Sequence, residues 1–148
     1  MKKLILLMLV TGLAAFSAAA QSSSALFTDG RWEAIVSYRD ADGKSRTDQY
    51  EIVFVKTGVC FITVRTKENG VDLFQDGDGL WSYSEGDFPV LRIECEFPGS
   101  AIKRLPSINW TSLYQFDDNK TRFTLLIPPF PGAERNIKVS FIQTKDEN

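Results

Sequence analysis

From residue 31 onward, apolar and polar residues alternate in short runs separated by turn residues, the two-residue period of strands rather than the 3.6-residue period of helices. Trp32, Ala34, Val36 and Tyr38 share one face of a first strand, with Arg31, Glu33 and Arg39 among the residues on the other. Tyr50, Ile52 and Phe54 form an inward set on a second strand, and Cys60, Ile62 and Val64 on a third. Asn69-Gly70 is a two-residue hairpin signal, because both residue types tolerate positive φ. The pattern then predicts a short strand from Val71 to Gln75, a turn at Asp76-Gly77-Asp78-Gly79, and another short strand from Leu80 to Ser84. The clearest alternation sets Leu91, Ile93, Cys95 and Phe97 against Arg92, Glu94 and Glu96.

Pro98 to Pro106 is the longest irregular connection. After it, Trp110, Ser112, Tyr114 and Phe116 share a face, then Phe123, Leu125 and Ile127, and finally Ile137, Val139 and Phe141. A Pro128-Pro129-Phe130-Pro131-Gly132 break, read as a stiff loop at a barrel mouth or an edge turn, separates the last two. The expectation is an all-β protein, an antiparallel meander of about eight or nine strands with no helical segment. Such a sheet protects its edges by closing into a small barrel; a β-sandwich is the alternative.

The start of the chain follows a different pattern. Lys2 and Lys3 precede an uncharged apolar run from Leu4 to Phe16, followed by Ser17-Ala18-Ala19-Ala20 and a polar stretch. This is the three-part layout of a secretory leader, with small residues at Ala18 and Ala20 for the peptidase. The apolar run, about 13 residues, is short for a membrane span, which takes roughly 20. The expected organisation is therefore a signal peptide over 1–20 and one β-domain over 21–148. The paired lysines and alanine-rich end suggest a bacterial source, and the expected destination is then the periplasm or the cell exterior.

Charge and composition narrow the chemistry. With 17 basic and 19 acidic residues the net charge is −2, and loss of Lys2 and Lys3 makes it more negative. Scattered cations on an acidic chain do not attract nucleic acid. The charged ending Thr144-Lys145-Asp146-Glu147-Asn148 and the outward Arg92, Glu94 and Glu96 argue against a membrane-embedded barrel. The chain has no histidine, so neither a Ser-His-Asp nor a Cys-His apparatus can be built from it. Asp76-Gly77-Asp78-Gly79 lacks the glycine and glutamate that a calcium loop needs further on, and no metal or cofactor is expected. Glu94 and Glu96, the nearest thing to a catalytic carboxylate pair, fall on a polar strand face.

Three phrases resemble the lipocalins and the shorter bacterial lipocalin-like domains: Gly30-Arg31-Trp32 at the first strand, Gly79-Leu80-Trp81-Ser82-Tyr83 followed by Leu91-Arg92-Ile93, and Tyr114-Gln115-Phe116 followed by Phe123-Thr124-Leu125-Leu126. The resemblance implies a calycin-type barrel in which Gly30 and Trp32 are structural, the tryptophan closing the barrel base. Two departures stand out. Thr47-Asp48-Gln49-Tyr50 comes too early to be the family's second motif, and no C-terminal helix follows the last strand.

The candidate residues follow from the inward faces. Tyr38, Tyr50, Phe54, Tyr114 and Phe123 would line an apolar ligand pocket with hydroxyls as polar handles, or else form a packed core. Cys60 and Cys95, an even pair in an exported chain, are candidates for a disulfide, with two buried free thiols as the alternative. The leading functional expectation is a non-catalytic exported barrel holding a small hydrophobic ligand. The rival is a filled barrel that binds an envelope protein or acts as an inhibitor.

Overall fold

The computed structural model describes residues 23–40, 42–128 and 135–145. The segment expected to be a leader and most of the proline-rich break, residues 129–134, lie outside the described residues. A short helix α1 (Ser23–Thr28) is followed by β1 (Arg31–Arg39), β2 (Ser45–Phe54), β3 (Val59–Glu68), β4 (Val71–Ser84), β5 (Val90–Glu96), β6 (Ser107–Phe116), β7 (Arg122–Ile127) and β8 (Ile137–Thr144). Every strand pairs antiparallel with the next, and β8 returns to β1, so the meander closes into an eight-stranded barrel. The closing seam joins Arg31, Trp32 and Glu33 to Thr144, Gln143 and Ile142. The architecture is compatible with a small calycin-like barrel.

The alternation determines which side chains go inside. Every strand contributes to a single buried cluster, with Trp32, Tyr50, Ile62, Trp81, Ile93, Trp110, Phe123 and Phe141 as examples from β1 to β8 in turn. The Asn69-Gly70 hairpin forms as the sequence predicts, with φ of 51° and 80° at its two residues.

Two elements differ from the sequence reading. The Asp76-to-Gly79 segment is not a turn: β4 runs unbroken through it, joining two expected short strands into one and giving eight strands, within the eight or nine expected. Neither Gly77 nor Gly79 has a positive φ. They are needed for close approach, since a Cβ on Gly77 would lie 2.6 Å from the Glu96 carbonyl oxygen and 2.7 Å from Cys95 Sγ. The two aspartates point outward, and Asp76 Oδ1 accepts a 2.6 Å hydrogen bond from Thr63 Oγ1.

The second difference is α1. Six residues are too few for a helix to be stable by propensity or to show a period. It is held by what it inserts: Phe27 is fully buried, with its ring 5.0–5.7 Å from those of Phe116, Tyr114, Phe123, Phe54 and Trp81. Trp32 Nε1 donates to the Phe27 carbonyl at 2.8 Å, so the tryptophan of Gly30-Arg31-Trp32 fixes the plug as well as packing at the base. Gly30, at φ 109°, makes the turn from helix to strand.

Truncating Phe27 to alanine leaves a cavity under six aromatic neighbours. We expect Phe27→Ala to cost about 3–5 kcal/mol, read from the urea unfolding midpoint. A cost below about 1 kcal/mol would mean that α1 is not a structural plug.

Candidate functional site

The five aromatic residues predicted to line a pocket are all on inward faces but do not converge. Phe54, Tyr114 and Phe123 lie at the base, each within 5.4 Å of the Phe27 ring. Tyr50 lies a layer higher, edge-on to Trp110 at 5.3 Å. Tyr38 is half-buried at the opposite end, where its hydroxyl donates to Asp48 Oδ2 at 3.0 Å. Between the base residues, the space a ligand would occupy is taken by Phe27 itself.

The end at which Tyr38 lies carries the densest polar cluster in the barrel. Asp48 is on the inward face of β2, and its side chain has no solvent exposure. Arg104, from the connection between β5 and β6, spans it with both ends of its fork: Nη2 to Oδ1 at 2.6 Å and Nη1 to Oδ2 at 2.9 Å. Its Nε donates to Glu68 Oε1 at 2.9 Å, Nη2 also to Thr66 Oγ1 at 3.0 Å, and Nη1 also to the Tyr38 hydroxyl. All five guanidinium N–H groups are thereby engaged. The guanidinium carbon lies 5.6 Å from the Tyr38 ring centroid, in cation–π range.

A second tie lies beside the first. The inward Gln75 of β4 donates from Nε2 to the Leu105 carbonyl at 2.8 Å, and its Oε1 accepts from the Ile102 amide at 3.2 Å and from Ser100 Oγ. Ile102 and Leu105 point into the core beneath. The Pro98-to-Pro106 connection is thus a cap, held over the barrel end by one charged clasp and one amide clasp.

The electrostatics fit a clamp better than a reactive centre. Burial, then the neighbouring Asp48 charge, pushes the Tyr38 hydroxyl well above the ordinary tyrosine value. Burial alone would lower Arg104, but its bonds to Asp48 outweigh that and hold it above the ordinary arginine value. Burial likewise pushes Tyr50 far up. Cys60 and Cys95 are buried free thiols, raised by burial to about 11 and about 12. These shifts stabilise the resting protonation state of each group. None prepares a nucleophile or base for work near neutral pH.

The outer wall offers a different feature. Over β1 to β4 lies an open groove of about 910 Å³, with Ile35 and Phe74 as its apolar walls and Gln49, Arg65, Asp72 and Asp76 between and beside them. Register places Ile35 opposite Gln49, Gln49 opposite Arg65, and Arg65 opposite Phe74, one cross-strand row. Further along the same wall Phe61 of β3 and Leu80 of β4 are also exposed.

Sequence reasoning missed Arg104, Asp48, Gln75 and Ser100, although a signal was present. Asp48 and Gln75 occupy inward positions in otherwise apolar registers, and a carboxylate there requires a cation. The long connection supplies Lys103 and Arg104. What the sequence does not show is that this connection folds back over the barrel end.

No known protein family, curated protein or solved structure matches this chain. Among the described residues no helix is long and apolar enough to cross a membrane.

Removing Arg104 leaves Asp48 as an uncompensated buried charge. We expect Arg104→Met to destabilise the fold by about 3–5 kcal/mol in urea unfolding. Pairing it with Asp48→Leu should recover most of that loss, because the orphaned carboxylate is gone. Failure of the double variant to recover would show that the clasp is not an isolated ion pair. A second expectation concerns alkaline pH. Tyr38 and Tyr50 have folded-state values raised above the ordinary 10.0, so their contribution is complete below that pH and lost as pH rises through the folded values. An absorbance titration should show their phenolates only together with loss of circular dichroism; ionisation of all four tyrosines in the intact fold would contradict this.

Proposed function

We propose that the protein is an exported, non-catalytic barrel that binds another protein of the cell envelope through its outer wall. Within that reading the N-terminal leader sends the chain out of the cytoplasm, and the lipocalin-like form serves as a rigid scaffold rather than a container. The observation that carries it is the contrast between inside and outside. The base is occupied by the chain's own Phe27, and the far end is clasped shut by Arg104 and Gln75. Outside, Ile35, Phe61, Phe74 and Leu80 on adjoining strands are 71%, 53%, 66% and 62% exposed. A second exposed apolar set, Phe88, Leu113, Leu126 and Ile142, lies towards β6 to β8, but the larger groove is on the β1–β4 wall. Exposed apolar side chains beside a groove mark an interaction surface more often than a solvated one. The small-ligand reading has less support, since the five residues expected to form its pocket are split between the two ends and the middle of the core.

Two measurements test this. Native mass spectrometry of the protein purified from the export compartment should give the bare chain, with no adduct retained and none gained on adding apolar ligands. A discrete small-molecule mass would restore the carrier reading. In cells, a photo-crosslinking side chain at position 74 should trap a defined protein adduct, while the same group at exposed position 118, in the turn between β6 and β7, should not. Equal trapping from both positions would remove the outer-wall site.

A further inference from the structure

Cys60 and Cys95 are the chain's two cysteines, on β3 and β5 with β4 between them. In a flat sheet such strands are roughly 9–10 Å apart, beyond the reach of a disulfide, whose Cα atoms lie within about 7 Å. The sheet is not flat at this point. Cys60 is registered opposite Gly79, and Gly79 opposite Cys95, so the three form one cross-strand row. A Cβ on Gly79 would collide with the Glu94 carbonyl oxygen and lie 2.8 Å from Cys95 Cα and 2.9 Å from Cys95 Cβ. β5 is thus folded over the inner face of β4, into the space that any other residue's side chain would fill. As a result β3 and β5 have Cα atoms within 8 Å of each other although a strand separates them. Both thiols are inward and inaccessible, at 0% and 3% exposure, and burial, then the neighbouring Cys60, raises the thiol of Cys95.

We propose that Cys60 and Cys95 close a disulfide across Gly79 and that the free thiols are its reduced form. In the cell this rests on the export reading, because an oxidising compartment supplies the oxidant. That oxidant is a protein or small-molecule disulfide. The thiolate of one cysteine attacks it, breaking its S–S bond and forming a mixed disulfide. The second cysteine then displaces the bound sulfur, forming the Cys60–Cys95 bond. Two electrons and two protons pass to the oxidant, which leaves as two thiols. Burial of both sulfurs places the exchange during folding, before β5 settles over β4. The bridge would join β3 to β5 and enclose all of β4 in its loop.

The experiment separates the bridge from the export reading. Protein unfolded, reduced and refolded in a glutathione redox buffer is denatured, treated with a thiol-alkylating maleimide, and weighed. Closure predicts an unalkylated chain two hydrogen masses lighter than the reduced one, and a thermal midpoint that falls on the order of 10 °C when reductant is added. Cys60→Ser and Cys95→Ser should each remove the reductant dependence. A refolded wild-type chain that takes up two maleimides overturns the bridge. Protein recovered directly from cells reads the compartment: a bridge formed in vitro but absent from the cell-derived chain leaves the bridge standing and overturns the export reading.

Discussion

The interior of an eight-stranded barrel has room for side chains or for one small ligand, and this constraint organises the molecule. Here the chain fills that room itself. Inward aromatic residues from β1, β2, β4, β6 and β7 leave a central gap at the base, and Phe27 enters it from α1. The helix exists because of that insertion, and Trp32 secures it by donating to the Phe27 carbonyl. The tryptophan of the lipocalin-like phrase is therefore both a floor and a fastener. A barrel filled in this way gives up internal capacity.

The opposite end solves a different problem. A buried carboxylate is costly unless its charge and lone pairs are met, and Asp48 is met by a bidentate arginine and a tyrosine hydroxyl. Replacing such a cluster by apolar side chains would often be neutral for stability. What the cluster adds is direction. The five guanidinium N–H groups of Arg104 tie the Pro98-to-Pro106 connection to Tyr38 of β1, Asp48 of β2, and Thr66 and Glu68 of β3.

Much of this was legible along the chain, for a physical reason. Two-residue alternation reports which face is buried, so the inward sets of β1, β2, β3, β5, β6, β7 and β8 could be read directly. The lapses occur where local pattern and tertiary need diverge. Asp76-Gly77-Asp78-Gly79 has the composition of a turn, yet its glycines serve a close strand approach that only β5 reveals. Phe27 was hidden in a segment too short to carry a period. Arg104 lies in an irregular stretch, 56 residues from its partner Asp48, and no local rule links the two. The spread of the five inward aromatic residues along the barrel has a related cause: inwardness is a local property, whereas convergence on one point depends on position along the barrel axis.

The closing seam bears on how the barrel assembles. Each pairing from β1–β2 through β7–β8 joins neighbours in sequence and can form by hairpin closure, whereas the β1–β8 joint brings together residues more than 100 positions apart over three residue pairs. Loop-closure entropy makes such a joint late, because the intervening ladder shortens the effective loop only once it is built. The order of events is thus written into the topology: a curled sheet first, then a ring. Until the ring closes, the outer strands β1 and β8 are open edges, available to each other or to another chain.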